Sequence, residues 1–292
     1  MSEASLGGSL ARPAPVRVPA SGLAHQVRAA TVVWQREMIR FRRDPARMVS
    51  SFVQPLLFLF VLGSGLSSLV RARSGSVDFR TFLFPGVLAT SVLFTAAFSG
   101  ISMVWDREFG FLREMLVAPV GNAAILTGKC LGGATVATLQ SLVILVLAGL
   151  VGVPYSPPMM LALVGLLFLM SFLITSLALV LAARVKQVQS AMPLVQLVIA
   201  PMMFLSGSLF PLSGLPTWLA VVTRLNPMTY AVEPVRSVVF DHLHTSAAVR
   251  ARLDPGIRWG DWQVPVSVQI VLVVALCLGL LGLAVVRFAR TE

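Results

Sequence analysis

Long runs without a single Asp, Glu, Lys or Arg constrain this chain more than any motif in it. Met48 to Val70, Thr81 to Trp105, Cys130 to Ala183, Gln187 to Thr223 and Trp262 to Val286 are all uncharged. A helix needs about 20 apolar residues to cross the ~30 Å hydrocarbon core of a bilayer. The third run is long enough for two helices, and Val153-Pro154-Tyr155-Ser156-Pro157-Pro158 breaks it near the middle. Six crossings follow, at about residues 49–70, 82–105, 126–151, 159–183, 190–210 and 263–286. The chain is 57% hydrophobic and 12% charged, whereas soluble domains run near 45–50% and ~25%. The expected fold class is an all-α membrane protein. Two cysteines exclude a disulfide scaffold.

The net charge of +11 would suggest a nucleic-acid partner in a soluble protein. Here it reads as topology, because Lys and Arg collect on the cytoplasmic side of membrane proteins. With the N-terminus inside, the inner segments hold fifteen of the 23 basic residues, and the net charges are +8 inside and +3 outside. Both termini are expected to be cytoplasmic, with no nucleic-acid partner.

Residues 1–22 are rich in Gly, Ala, Ser and Pro and lack an apolar signal core, so a flexible cytoplasmic tail is expected, with residues 23–290 as one transmembrane domain. Leu23, Val27, Ala30, Trp34, Met38 and Phe41 step by three or four residues, with Arg28, Arg36, Arg40 and Arg43 off the stripe and Glu37 near its edge. A basic amphipathic helix carrying Trp34, Arg36, Arg40 and Phe41 suits the membrane surface; a partner's groove is the alternative. Asp44-Pro45 ends it. Later, Gly207, Pro211, Gly214 and Pro216 interrupt the fifth apolar run before Trp218. That pattern reads as an outer re-entrant helical hairpin or as a plain interfacial loop.

Catalysis is hard to place. The uncharged runs supply no acid, base or metal-ligand set, and His25, His242 and His244 lie outside them. Neither a catalytic nor a metal site is assigned, and no intramembrane proton relay is visible. The polar residues Gln54, Gln140, Ser141, Thr175, Ser176 and Gln196 either line a substrate path or bond neighbouring helices. Gln54 and Gln196, with Phe204, are the path candidates. The densest mixed-charge cluster runs from Asp106 through Arg107, Glu108, Arg113 and Glu114 to Pro119. Phe111, Leu112, Met115 and Leu116 are expected to line one side of a short helix there, docking into a soluble partner.

The run Asp106–Val120 resembles the cytoplasmic motif of type-2 ATP-binding-cassette exporter permeases. Phe204-Leu205-Ser206-Gly207-Ser208-Leu209-Phe210-Pro211-Leu212, Leu215-Pro216-Thr217-Trp218-Leu219 and Asn226-Pro227-Met228-Thr229-Tyr230-Ala231-Val232-Glu233-Pro234-Val235-Arg236 are similar to later motifs of the same family, in the same order, over about residues 25–290. The nearest subgroup is the daunorubicin-resistance-like multidrug permeases, also related to nodulation-factor export permeases. Phe109 and Gly121-Asn122 depart from the pattern.

The resemblance implies a six-helix permease of the bacterial plasma membrane, paired with a second copy or a paralogue. It implies a cytoplasmic ATPase partner that holds ATP and Mg, and antibiotic resistance as a role. Asp106, Arg107, Glu108, Arg113, Glu114 and Pro119 would then form a cytoplasmic coupling helix. No Gly-x-x-x-x-Gly-Lys-Ser/Thr run occurs here, so no cofactor is expected on this chain. The cargo would be an amphipathic drug, metabolite or lipid moved by ATP-driven export. A non-transporting scaffold or regulatory subunit, polysaccharide or glycolipid export, and ion-coupled carriage remain as alternatives.

Overall fold

The computed structural model describes residues 22–65, 79–117, 120–209, 216–243 and 256–290. The expected tail at 1–22 lies outside these residues but for Gly22, and so do Pro119, Pro211 and Gly214. Ten α-helices are described. They are α1 (Leu23–Arg42), α2 (Pro45–Leu56), α3 (Phe79–Glu108), α4 (Phe111–Val117), α5 (Asn122–Val146), α6 (Pro157–Ala182), α7 (Val188–Leu205), α8 (Thr217–Leu225), α9 (Pro227–Asp241) and α10 (Val266–Ala289). Six helical stretches are long and apolar enough to cross a membrane: Met48–Gly65, Phe79–Glu108, Asn122–Val151, Pro157–Ala182, Val188–Leu205 and Val266–Ala289. The six-helix, all-α expectation holds.

The helices differ sharply in burial. In α3, 78% of the best apolar window is buried, against 17% in the α2 stretch and 22% in α10. Helix α3 is the hub and packs against α2, α5, α6, α7 and α9. Small residues allow this: a Cβ at Gly100 would overlap Ala178 of α6, and one at Gly86 would overlap the Ser208 carbonyl. Close backbone approach of this kind replaces the hydrophobic drive that lipid does not supply.

Proline shapes the ends and interiors. Pro157 and Pro158 open α6, where the missing N–H costs nothing. Pro55 lies inside α2, and the backbone then widens into a π-helical segment over Leu57–Leu62. Pro193 and Pro201 lie within α7.

Helix α1 turns residues beside its apolar stripe toward the bundle. Leu23 and Val27 face outward, whereas Val33 and Glu37 are buried. The reason is its partner. Helix α1 lies on α5, where a Cβ at Gly128 would come 2.5 Å from the Ala30 carbonyl oxygen and one at Gly132 would come 2.7 Å from Glu37 Cβ. The Trp34 indole N–H donates to Thr135 Oγ1 at 3.1 Å.

Gly100→Val should force α3 and α6 apart and lower stability by about 1–3 kcal/mol. Gly165→Ala, with nothing within 4 Å of the added Cβ, should leave stability unchanged. Thermal unfolding of the two variants in detergent checks the difference.

Candidate functional site

Three consecutive residues at the end of α3 grip three different parts of the molecule. Asp106 is buried and forms ion pairs with Arg36 of α1 and, at 2.5 Å, with Lys129 Nζ of α5. Arg107 donates to the carbonyls of Ala182 (3.2 Å), Ala183 (3.3 Å) and Val185 (2.8 Å) at the end of α6. It also stands 5.8 Å over the Phe288 ring of α10. Glu108 Oε2 accepts from the Val188 N–H at 2.7 Å, at the start of α7. These contacts satisfy helix-end carbonyls and an N-terminal N–H that otherwise lack partners.

The ion pairs form a closed cluster. Lys129 Nζ also donates to Glu37 Oε1 at 3.0 Å and to Ser102 Oγ at 3.2 Å. Lys129, Glu37 and Asp106 are all buried, and Arg36 is half-buried. Two cations meet two carboxylates, so the cluster is neutral as a whole. Lys129 stands just before the uncharged run that starts at Cys130, and it lies within α5, seven residues past its start. The apolar spans are therefore not empty of charge at this end. The signal was present as an acid, Glu37, beside an apolar helical stripe.

Beyond Asp106 the chain turns at Gly110, whose φ of +82° suits glycine. It then forms the short helix α4, as expected. Its apolar residues do not share one side: Leu112 is buried, whereas Phe111 is exposed, because adjacent helical residues diverge by 100°. The side chains of Arg113 and Leu116 lie outside the described residues. Between α1 and α4 an open groove of about 910 Å3 is lined by Arg36, Ile39, Arg40, Arg43, Trp105, Phe109, Phe111, Glu114 and Met115, with Asp44 and Asp106. The Trp105 and Phe109 rings stack at 5.3 Å. Of the expected coupling set, Asp106 and Glu114 reach this groove, while Arg107 and Glu108 hold neighbouring helices. Phe41 lines a smaller recess beside it with Glu37 and Arg40.

The opposite end has its own network. Helix α7 stops at Leu205, and Gly207 turns with a φ of +75°. The Arg236 guanidinium donates to the Gly207 carbonyl and lies 5.3 Å over the Phe82 ring. Arg236 is fully buried in α9. Asn226 caps α9 by accepting from the Met228 N–H at 3.0 Å, and its amide donates to the Met202 carbonyl at 2.9 Å. The Thr229 hydroxyl donates to the Leu205 carbonyl at 3.1 Å and the Tyr230 hydroxyl to the Arg224 carbonyl at 2.8 Å. The Asn226–Arg236 run thus ties α7, α8 and α9 together. Pro216 precedes α8, and Trp218 on it is exposed.

The path candidates are not brought together. Gln196 and Phe204 lie on the outward side of α7, while Gln54 opens on a crevice beside α3. Gln140 donates to Ser51 of α2 and Ser176 meets Cys130 Sγ of α5 at 3.1 Å, contacts between neighbouring helices, whereas Ser141 and Thr175 bond carbonyls of their own helices.

The profile of ABC-2 type transporters matches residues 28–240 of this chain. The chain belongs to the ABC-2 type transporter family. It is 31% identical over 219 residues to nodulation protein J of Rhizobium leguminosarum bv. trifolii, covering 72% of this chain and 80% of that protein. It is 29% identical over 219 residues to a putative transport permease, ycf38, of Cyanophora paradoxa, covering 74% of each. The six apolar helices and the family together make it a multi-pass membrane transport permease, the non-enzymatic membrane component of such a transporter. The matched span runs from α1 to α9 and so includes both networks.

Lys129→Met should strand Glu37 and Asp106 in a buried site and destabilise the chain by about 3–5 kcal/mol. Lys129→Met combined with Glu37→Gln and Asp106→Asn should recover most of that loss. Melting temperatures of the purified proteins in one detergent compare them.

Proposed function

We propose that this chain is the membrane-spanning subunit of an ATP-driven exporter of amphipathic compounds, energised by a separate cytoplasmic ATPase that holds ATP and Mg. The three-way grip of Asp106, Arg107 and Glu108 carries the proposal. A partner seated on α4 moves the end of α3, and that end is fastened to α1, α5, α6 and α7. Force on a short exposed helix thus reaches the spans as a unit. The groove beside it offers aromatic rings and arginines, the side chains that anchor protein interfaces. ATP binding on the partner biases the permease between two arrangements, as any ligand with differential affinity does.

In this reading the α4 end is cytoplasmic and both chain ends lie on that side, with Phe288 near Arg107 consistent with an even number of crossings. Helix α1 then rests at the inner membrane surface with Leu23 and Val27 toward lipid, and the α7–α8 turn forms the outer re-entrant region. A second permease copy or paralogue completes the path, in the plasma membrane. Placement in the daunorubicin-resistance-like subgroup, with antibiotic resistance as its role, rests on the motif resemblance alone.

The test is co-expression with a candidate cytoplasmic ABC ATPase subunit from the same organism, followed by reconstitution in lipid. Phe111→Ser with Glu114→Lys should reduce cargo-stimulated ATP turnover at least tenfold while leaving the melting temperature of the permease unchanged. Export that continues without the ATPase would refute the proposal.

A further inference from the structure

Hydroxyl groups inside membrane helices usually bond a carbonyl one turn back or a neighbouring helix. This structure follows that habit on α5 and α6. Thr135 and Thr138 donate to the Leu131 and Ala134 carbonyls at 2.7 Å. Ser171 and Thr175 donate to the Leu167 and Ser171 carbonyls at 2.7 and 2.8 Å. On α3 the pattern changes. Ser91, Thr95 and Ser99 follow one another at four-residue spacing and so share one face. None of the three hydroxyls has a hydrogen-bond partner among the described residues. Ser91 is only 3% exposed, yet it lines an open crevice. The Ser91 hydroxyl oxygen stays reachable from the crevice and is open to a hydrogen bond from a visiting group.

The crevice lies between α2, α3 and α5 and has a volume of about 210 Å3. Ser91 and Thr95 form one wall, Gln54 reaches in from α2, and the Phe94 and Phe98 rings flank it. No charged side chain lines it. A separate narrow recess meets the crevice at Thr95 and Gln140, passes Ser99 and Ser102, and is lined at its far side by Glu37, Arg40 and Asp44, so the uncharged lining is that of the crevice alone. Helix α2, which closes the crevice, is the least buried of the six spans. The opening therefore faces the surroundings of the helix bundle. The volume is below the ~300–1,000 Å3 that encloses a drug-sized ligand, so it takes a head group and leaves a tail outside.

We propose that this crevice binds the neutral, hydroxyl-bearing head group of an amphiphile whose hydrocarbon tail stays among the lipid. Hydroxyl donors and acceptors on α3, with the Gln54 amide, address the polar edge of the head group. The two phenylalanine rings cover its apolar face. The absence of a lining cation or carboxylate disfavours a charged head group, which would enter unpaired. This inference rests on the exporter reading for its physiological meaning, but the binding itself needs no ATPase.

The experiment uses the purified full chain in phosphatidylcholine nanodiscs, without any ATPase. Monoglucosyl diacylglycerol carrying a photoreactive diazirine at the top of one acyl chain is the probe. Phosphatidylglycerol and diacylglycerol with the same chain are the comparisons. Cross-linked peptides are mapped by mass spectrometry. Peptides containing Gln54, Phe94 or Phe98 should be labelled at least threefold more by the glucosyl lipid than by either comparison. Ser91→Ala with Thr95→Val should remove that excess, and Thr175→Val, whose hydroxyl serves its own helix, should keep it. Gln54→Leu, at an exposed position, should also reduce it and serves if the double variant does not fold. Equal labelling by all three lipids, preference for phosphatidylglycerol, or an excess that survives these substitutions overturns the proposal. A chain that never stimulates ATP turnover would sink the exporter reading and leave this result standing; even labelling with normal ATP coupling would do the reverse.

Discussion

Lys129 and the two carboxylates that meet it hold the cytoplasmic-motif end of the molecule together. An ammonium buried this deeply loses several kcal/mol of hydration and remains charged only if well-placed anions replace the water. Glu37 and Asp106 do so from two other helices, and Arg36 balances the second carboxylate. The geometry is demanding because each partner comes from a different segment. If α1 slides along α5, Glu37 leaves Lys129. If α3 rotates, Asp106 leaves both cations. Glycines at 128 and 132 bring α1 close enough for the pairing to form. The packing and the electrostatics thus depend on each other.

From that cluster the next two residues extend the hold to α6 and α7, so the short helix α4 hangs from a junction of five helices. The far end is organised by a different chemistry. There a buried arginine, a helix cap and two hydroxyls gather loose carbonyls at the end of α7 and α8. Between the two ends the spans are held by small residues and a few polar contacts between helices, such as Gln140 with Ser51 and Thr138 with Ser171. Polar groups are concentrated where the chain enters and leaves the apolar region, and the unbonded face of α3 is the exception. Such a layout suits a body that rocks as a unit between fixed ends better than one with ionic locks along its length.

Much of this was legible in the chain. Uncharged runs of sufficient length have one stable form in lipid, so the six helices followed from charge alone. Pro157-Pro158 marked the start of α6 and Asp44-Pro45 the end of α1. Other features were not legible. The stripe on α1 suggested a face for the membrane surface, but it did not show that Val33 and Glu37, beside it, pack on α5. Periodicity gives a helix its faces but does not say which face meets a partner, and two small residues on α5 outweighed the larger apolar ones. Nothing local to Arg236 shows that Phe82 and the Gly207 carbonyl come to meet it.

The sequence by itself determined the number of crossings, the main helix breaks and the family motifs, because each depends on residues within one or two turns of one another. Only the tertiary structure decided the roles of the charges. Lys129, Glu37 and Asp106 lie far apart along the chain and become a neutral cluster only when α1, α3 and α5 are packed. The same holds for the hydroxyls: Thr175 and Ser91 look alike in sequence. One bonds its own helix and the other opens on a crevice, a difference set by the local backbone and by which helix lies across from each.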